Sequence, residues 1–420
     1  MLPRNVFRYG RESNASWCGP FRAASILLSA GLAACGTGDG QAAPPATSGM
    51  PFRMQELAKF DNPWAMAFLP DGGQLVTEKG GTIQLRGADG KIEAVRGVPA
   101  VKYGGQGGLL DIELAPDFPT SKRIYISYSK PVGSGSSLAL ARATLDQGAR
   151  ALRNVEVIWQ DPQGGSGGQF GGIIALAPDG RSLFLTSGER QRFTPAQDMN
   201  QPIGKILHLT LDGKPAADNP WAGKVGAPTV RVTRPPSDTE EAKGEKGNSF
   251  TYPGPNRAPA ATWSLGHRNP YGLAFAPDGR LWETEMGPKG GDEFNLIVRG
   301  RNYGWPLVSE GENYNGVDIP KPATRPDLAP ASLFWVPSIS PTSLVFYSGR
   351  LWPQWKGSAF IGSLSGEALI RATVDGDKAA KADQWNLDMR IRFVTEGPDG
   401  ALYLLEDGSD GRLLKLTPAG

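Results

Sequence analysis

Hydrophobic and polar positions along most of the chain follow one short unit: an apolar strand, a Pro-Asp-Gly turn and a second apolar strand. It occurs at Ala65-Met66-Ala67-Phe68-Leu69-Pro70-Asp71-Gly72 with Leu75-Val76-Thr77-Glu78, and at Ile174-Ala175-Leu176-Ala177-Pro178-Asp179-Gly180 with Leu183-Phe184-Leu185-Thr186. It returns at Leu273-Ala274-Phe275-Ala276-Pro277-Asp278-Gly279 with Leu281-Trp282-Glu283-Thr284-Glu285, and at Val394-Thr395-Glu396-Gly397-Pro398-Asp399-Gly400 with Leu402-Tyr403-Leu404-Leu405. A looser copy, Leu114-Ala115-Pro116-Asp117, precedes Ile124-Tyr125-Ile126-Ser127-Tyr128, and there is room for a sixth around 355–362. Proline presets φ for the first turn position, aspartate bonds the backbone beyond it and glycine takes positive φ, so each copy predicts a hairpin. Six such units, each too small to stand alone, predict an all-β chain folded as a six-bladed β-propeller of four-stranded antiparallel blades. A β-sandwich or β-solenoid is the competing arrangement, but a sandwich does not explain one hairpin recurring this evenly. Residues 212–252 carry Pro, Lys and Glu with little periodicity and predict a loop insertion on one face. No long amphipathic helix is evident.

Composition narrows the chemistry. The 420 residues include 56 Gly and 36 Pro, with 39% hydrophobic and 20% charged positions, which describes a folded, turn-rich chain. Two His and two Cys exclude a structural zinc site of the usual Cys/His kind and a disulfide scaffold. The net charge of +2 is concentrated at the N-terminus, where Arg4, Arg8, Arg11 and Arg22 face only Glu12; the rest of the chain is at −1. Nothing in that near-neutral remainder is an electrostatic footprint for nucleic acid or an anionic membrane surface.

Arg22 precedes an apolar run over 23–34 that is too short to span a bilayer and has the layout of an export signal. The run ends in Leu32-Ala33-Ala34-Cys35, which resembles a bacterial lipobox, whose Cys thiol takes a diacylglyceryl group before cleavage. Ordinary signal cleavage, with Cys35 an incidental small residue, is the alternative. The expected organisation is a signal peptide over 1–35, a flexible Gly/Ala/Pro/Ser-rich tether over 36–50 and a propeller over 51–420. The expected location is the periplasm, with the lipid on Cys35 as the only membrane contact.

Function in a propeller resides in loops that converge on the central axis. Gln106 in Gly104-Gly105-Gln106-Gly107-Gly108 and Gln169 in Gly167-Gly168-Gln169-Phe170-Gly171-Gly172 are polar side chains on backbone able to approach a ligand closely, or else solvated turn tips. Arg268 and Asn269 precede Pro270, where a guanidinium can fork onto carboxylate or quinone oxygens or form an internal ion pair. In Glu285-Met286-Gly287-Pro288-Lys289-Gly290-Gly291-Asp292-Glu293-Phe294-Asn295, adjacent acids after a glycine-rich bend, with the Gly287 and Pro288 carbonyls, suit calcium or form a solvated acidic turn.

From about 62 to 417 the chain resembles the soluble aldose sugar dehydrogenases of the glucose/sorbosone dehydrogenase family. The motifs are Pro63-Trp64-Ala65-Met66-Ala67-Phe68-Leu69-Pro70, Gly105-Gln106-Gly107-Gly108-Leu109-Leu110-Asp111, Arg268-Asn269-Pro270, Gly290-Gly291-Asp292-Glu293-Phe294-Asn295, Asn302-Tyr303-Gly304-Trp305-Pro306, Pro353-Gln354-Trp355 and Arg390-Ile391-Arg392, in that order. The resemblance implies a six-bladed propeller holding pyrroloquinoline quinone (PQQ) and calcium, a sugar substrate and an external electron acceptor. It implies that Gln106, Arg268, Asn269, Arg390 and Arg392 contact the quinone. The Gly287 and Pro288 carbonyls would bind the cofactor's calcium, with Asp292, Glu293 and Tyr303 in the same calcium-rich region.

The departures from the family are clustered. The His that normally takes the sugar's hydroxyl proton is replaced by Gln169, which cannot accept one at neutral pH. The Asp before it is Gly168, the Arg after the two glycines is Ile173, and a cofactor-contacting Lys is Ser365. His267 is the other His near the presumed site and the speculative substitute base; His208 alternates with apolar residues, as a structural residue would. Three readings follow: a PQQ-dependent dehydrogenase with an altered base that oxidises an aldose to its lactone; a non-catalytic propeller binding quinone, sugar or cell-wall material; and a metal-dependent lactonase, ranked last because the axial loops hold few acids.

Overall fold

The computed structural model describes residues 49–232 and 248–419. The export signal, Cys35 and nearly all of the tether lie outside them. β1 (Phe52–Phe60) opens the described chain. Blade 1 is β2 (Pro63–Phe68), β3 (Gln74–Glu78), β4 (Thr82–Arg86) and β5 (Ile92–Val95). Blade 2 is β6 (Leu109–Leu114), β7 (Arg123–Val132), β8 (Gly135–Asp146) and β9 (Ala151–Gln160). Blade 3 begins with β10 (Gly171–Leu176), β11 (Ser182–Ser187) and β12 (Lys205–Thr210). An insertion then carries β13 (Thr229–Val232) and β14 (Asn248–Thr251) before β15 (Thr262–Leu265) completes the blade. Blade 4 is β16 (Pro270–Phe275), β17 (Leu281–Glu285), β18 (Asp292–Ile297) and β19 (Leu333–Trp335). Blade 5 is β20 (Pro341–Phe346), β21 (Ala359–Ser363), β22 (Ala368–Asp375) and β23 (Lys378–Asn386). Blade 6 takes β24 (Ile391–Glu396), β25 (Leu402–Glu406) and β26 (Gly411–Pro418) from the C-terminal end, and β1 pairs antiparallel with β26 as its outer strand.

The first strand of each blade is innermost, and the contacts run β2 to β6, β10, β16, β20, β24 and back to β2, closing the ring. The chain is therefore an all-β, six-bladed propeller, and its Pro-Asp-Gly copies are the turns between first and second strands. The fifth blade lacks that turn: its hairpin joins β20 to β21 through a short helical turn at Pro353–Trp355. The insertion is more ordered than expected, because Thr229-Val230-Arg231-Val232 alternates with period 2 and pairs with Asn248-Ser249-Phe250-Thr251 as a two-stranded sheet.

Adjacent blades are joined by hydroxyls. Every inner strand is bulged against its neighbour. The Thr77 Oγ1 accepts the Ala65 N–H at 3.0 Å and donates to the Leu110 carbonyl of the next blade at 2.7 Å. Ser127 donates likewise to Gly172, Thr186 to Pro270 (3.0 Å) and Thr284 to Thr342 (2.9 Å). In blade 5 the corresponding position is Gly362, whose missing side chain makes room for the Thr342 hydroxyl, which donates to Ile391 at 3.0 Å. Blade 6 has Leu405 instead, and its seam with blade 1 is apolar, packed by Phe60, Met66, Val76, Tyr403 and Leu413.

Candidate active site

At one end of the ring lies an axial cavity of about 310 Å³. Trp64 and Tyr271 come from opposite blades and meet edge to face at 5.8 Å, forming a floor across the axis. Lys79, Arg390, Arg392 and Asp407 line one side; Gln106, Met286, Ser340 and Leu364 line the rest. The repeat dictates much of this. Trp64, Tyr271 and Arg392 each stand six residues before the proline of their Pro-Asp-Gly turn, and Lys79, Met286 and Asp407 each stand nine residues after it.

The lining carries a surplus of positive charge. Arg390 donates from Nε and Nη2 to Asp407 Oδ2 at 3.0 and 2.9 Å, and Arg392 donates from the same atoms to Oδ1 at 2.9 and 2.7 Å. Burial works against ionising Asp407, but the Arg392 charge and the hydrogen bonds from both arginines hold its carboxyl below the ordinary range. Lys79 has no carboxylate partner among the described residues; its Nζ donates to the Gly105 carbonyl at 3.0 Å. Burial, then the Arg392 charge, lower its pKa.

Gln169 adopts φ +50°, is buried and does not line the cavity. Its N–H donates to Gln106 Oε1 at 2.5 Å, and its own Oε1 accepts the Gln191 N–H at 3.2 Å. Beneath this loop the buried Arg190 donates to the carbonyls of Gly167 (3.0 Å), Gly168 (3.1 Å) and Ser136 (3.2 Å), with its guanidinium 3.9 Å from the Phe170 ring centroid. The Ile173 N–H is bonded to Thr186 Oγ1, and Ser365 Oγ pairs with Ser340 Oγ at 2.8 Å.

Several residues expected at the axis face elsewhere. His267 is fully buried, with Nε2 2.9 Å from Ser264 Oγ, Nδ1 3.1 Å from Glu285 Oε1 and its ring stacked on Tyr303, so it cannot reach the cavity as a base. Arg268 does not line the cavity: its Nη1 donates to the Met286 carbonyl at 3.0 Å and the Gly287 carbonyl at 2.5 Å. Asn269 is buried beside Met286, and among the described residues Arg268 Nε and Asn269 Oδ1 have no hydrogen-bond partner. The Pro288 carbonyl accepts the Tyr314 hydroxyl at 3.3 Å, so neither expected calcium-binding carbonyl is unengaged. Asp292 is also committed, accepting Gly287 N–H on Oδ1 and Ser338 Oγ–H, Ile339 N–H and Ser340 N–H on Oδ2. It positions the loop that brings Ser340 to the cavity. His208 is structural, stacked on Phe184 and bonded to Ser182 and Asn219.

Beside the axial cavity, a space of about 10 Å³ is bounded by Glu285, Glu293, Tyr303, Arg268 and Ser309. That is room for one water or ion. His267, Glu283 and Glu285 bring ligand atoms within 4.8 Å of one another. Asn295 Nδ2 donates to Glu293 at 3.0 Å, Glu283 at 3.2 Å and Glu285 at 3.4 Å. Burial, then the Glu285 charge, raise Glu283 well above the usual carboxyl range and Glu293 to about 8. The Tyr303 hydroxyl is committed to the Val298 N–H and the Leu296 carbonyl, which leaves only its own carbonyl for a cation. Sequence reasoning missed Lys79, Tyr271, Asp407, Glu283 and Glu285. Position within the repeat would have flagged the first three; the two glutamates gave no signal beyond the alternation of β17.

A propeller with a cation-rich axial cavity and an acidic buried pocket beside it defines a class, and comparison with known proteins places the chain within it. The sequence profile of the Glucose / Sorbosone dehydrogenase family matches residues 60–230 and 239–415, and the chain belongs to that family. It is 36% identical over 372 residues to aldose sugar dehydrogenase YliI of Escherichia coli (strain K12), covering 86% of this chain and 91% of the relative. The crystal structure of the soluble aldose sugar dehydrogenase of Escherichia coli in the apo-form superposes with a TM-score of 0.76 at 35% identity, over 87% of this chain and 99% of that one. The PQQ-bound aldose sugar dehydrogenase of Streptomyces coelicolor gives a TM-score of 0.65 at 27% identity, over 89% and 99%.

Proposed function

We propose that this protein is a PQQ-dependent aldose dehydrogenase that oxidises a sugar to its lactone and passes the electrons to an external acceptor. The observation that carries the reading is the axial cavity, where Lys79, Arg390 and Arg392 outnumber the single anion Asp407 above an aromatic floor. That chemistry fits a flat tricarboxylate, and the orphaned Arg268 Nε and Asn269 Oδ1 are buried polar atoms that a bound ligand would satisfy after modest rearrangement. When bound, PQQ supplies the ortho-quinone that accepts hydride from the sugar C1. The chain's own part would be to hold it: Arg390 and Arg392, oriented by Asp407, and Lys79 would pair with its carboxylates, with Gln106 as a neutral hydrogen-bonding partner. Calcium is proposed at the small acidic pocket, held by Glu285, Glu293 and the Tyr303 carbonyl; hard oxygen donors of like charge buried together call for a cation or for protons.

Proton transfer is the weak step. The Gln169 amide cannot accept a proton at neutral pH, and Asp407 is kept ionised by two arginines and is a poor acceptor. Turnover is therefore slow, with water taking the hydroxyl proton. The committed Gln169 side chain also favours a second reading, a propeller that binds quinone without turning over. Export and lipid attachment through Cys35, giving a periplasmic protein, complete the proposal; no helix among the described residues is long and apolar enough to cross a membrane.

The test is reconstitution of the purified protein with PQQ and calcium, followed by dye reduction with a panel of aldoses. Sugar-dependent reduction is expected from the wild type. No reduction by either the wild type or Gln169→His would overturn the dehydrogenase reading.

A further inference from the structure

A separate cavity of about 320 Å³ lies between blades 2 and 3, against the insertion. It shares no lining residue with the axial cavity or the acidic pocket. Its walls come from three places. Trp159 and Gln160 stand at the end of β9, the outer strand of blade 2, and Gly213 and Pro215 follow β12. The third wall is the end of the insertion, from Tyr252 to a single helical turn at Ala258–Ala261.

These walls are apolar and fixed. Pro162, Pro202, Pro215, Pro253 and Pro255 all line the cavity. Proline presents a rigid apolar surface and has no backbone N–H to satisfy. The Tyr252 ring is held by its hydroxyl, which donates to the Asn200 carbonyl at 2.8 Å and accepts from Gln163 Nε2 at 3.3 Å. Asn256 ties down the same segment: its Nδ2 donates to the Asn200 and Ala227 carbonyls at 2.8 and 2.9 Å, and its Oδ1 accepts the Ala258 N–H at 3.0 Å. Gln160 is spent as well, accepting from Lys130 Nζ and donating to Ser137 Oγ, both at 2.9 Å. The cavity is therefore preformed, and a ligand entering it meets little ordering cost.

The side-chain groups left over are donors. Among the described residues, the Arg257 guanidinium and the Trp159 indole N–H have no hydrogen-bond or ion-pair partner. No carboxylate lines the cavity. Of the acids adjacent in sequence, Asp161 is fully buried and Asp212 is paired with Arg142. Two half-buried aromatic rings, proline walls and an unpaired guanidinium suit a flat apolar body that carries one anionic group. A polyhydroxylated ligand would instead bury its hydroxyls against proline carbons.

We propose that this cavity is a binding site for a planar aromatic carboxylate, with the ring against Trp159 and Tyr252 and the carboxylate on Arg257. The site stands apart from the axial cavity and binds its ligand whether or not the protein turns over a sugar.

The test is calorimetric titration of the full-length protein with 2-naphthoate, its neutral analogue 2-naphthamide, and octanoate, an anion without a ring. Saturable binding of one 2-naphthoate per chain is expected, with octanoate at least about tenfold weaker. Arg257→Gln, at an exposed position, should weaken 2-naphthoate by about tenfold or more and leave 2-naphthamide unchanged, and Arg257→Lys should recover part of the loss. Trp159→Ala should weaken both naphthyl ligands. Absence of saturable 2-naphthoate binding, or an affinity indifferent to Arg257→Gln, would overturn the site. Octanoate binding as tightly as 2-naphthoate would overturn the aromatic assignment. The cationic axial cavity is the competing location for an anion: binding lost in Arg392→Ala and kept in Arg257→Gln would place the ligand there and overturn the proposal.

Discussion

The two sides of the axial cavity are built differently. On the side of blades 6 and 1, Arg390, Arg392 and Asp407 form a doubly bonded charge cluster with Lys79 beside it, and both arginines line the cavity. On the side of blade 3, two buried arginines, Arg190 and Arg192, grip the loop that carries Gly168 and Gln169 through its carbonyls. Four non-glycine residues there, Gln169, Arg190, Gln191 and Phe193, hold positive φ, a conformation that persists only when the surroundings enforce it. One side presents charge to the cavity and the other is held by its backbone. On the proposed reading, cofactor binding and proton transfer then fall to different sides of the cavity.

The largest effect expected is on the side of blade 3. Gln169→His should raise kcat by about 10² to 10⁴, the usual contribution of a general base, and add a limb near pH 6.5 to the rate profile. Unchanged kcat with an unchanged profile would mean that the loop no longer presents this position to substrate. On the side of blades 6 and 1, Arg392→Ala removes a nearly buried cation and leaves Asp407 half paired. It should cost about 2 kcal/mol or more of PQQ binding, at least ~30-fold in Kd by equilibrium dialysis. Arg390→Ala, with a side chain 46% exposed, should cost clearly less, and the reverse ranking would contradict the geometry.

Stability offers a smaller but independent check. Burial raises Asp111 to about 7 and Glu293 to about 8, against about 4 to 4.5 in an unfolded chain. The folded protein retains protons that the unfolded chain has released, so stability should fall as pH rises from about 4.5 to 8. Calcium bound at Glu285 and Glu293 as proposed would compete with the Glu293 proton. At a hundredfold excess over Kd it contributes ~2.7 kcal/mol, and the rise in Tm by calorimetry should be larger at pH 8 than at pH 5. Equal shifts at both pH values would remove the calcium assignment from this pocket. Smallest, Thr284→Val cuts one inter-blade hydroxyl bond and should cost about 1 kcal/mol in denaturant unfolding without changing PQQ affinity.

The repeat made the propeller legible because proline, aspartate and glycine each fix a turn dihedral or bond, and four copies with a looser fifth leave few other architectures. The closure was not legible: nothing in Phe52-Arg53-Met54-Gln55 says that this strand pairs with Lys415 and Leu416 at the far end of the chain. Nor was the fifth blade's hairpin, which joins its strands without the turn residues. Within the site, Gln106, Arg390 and Arg392 came from motif resemblance and line the cavity together. Arg268, Asp292 and His267 came from the same source, but their side chains are spent on the neighbouring loop and the acidic pocket. Residue type and order do not encode which way a side chain turns when two acceptors compete for it.

The most direct measurement is a fluorescence titration of the wild-type protein with PQQ in the presence of calcium, since Trp64 forms the floor on which the quinone would lie. The cavity's charge and shape predict saturable quenching with one PQQ per chain. Absence of saturable quenching would contradict the cradle itself, and with it every step assigned to the cavity.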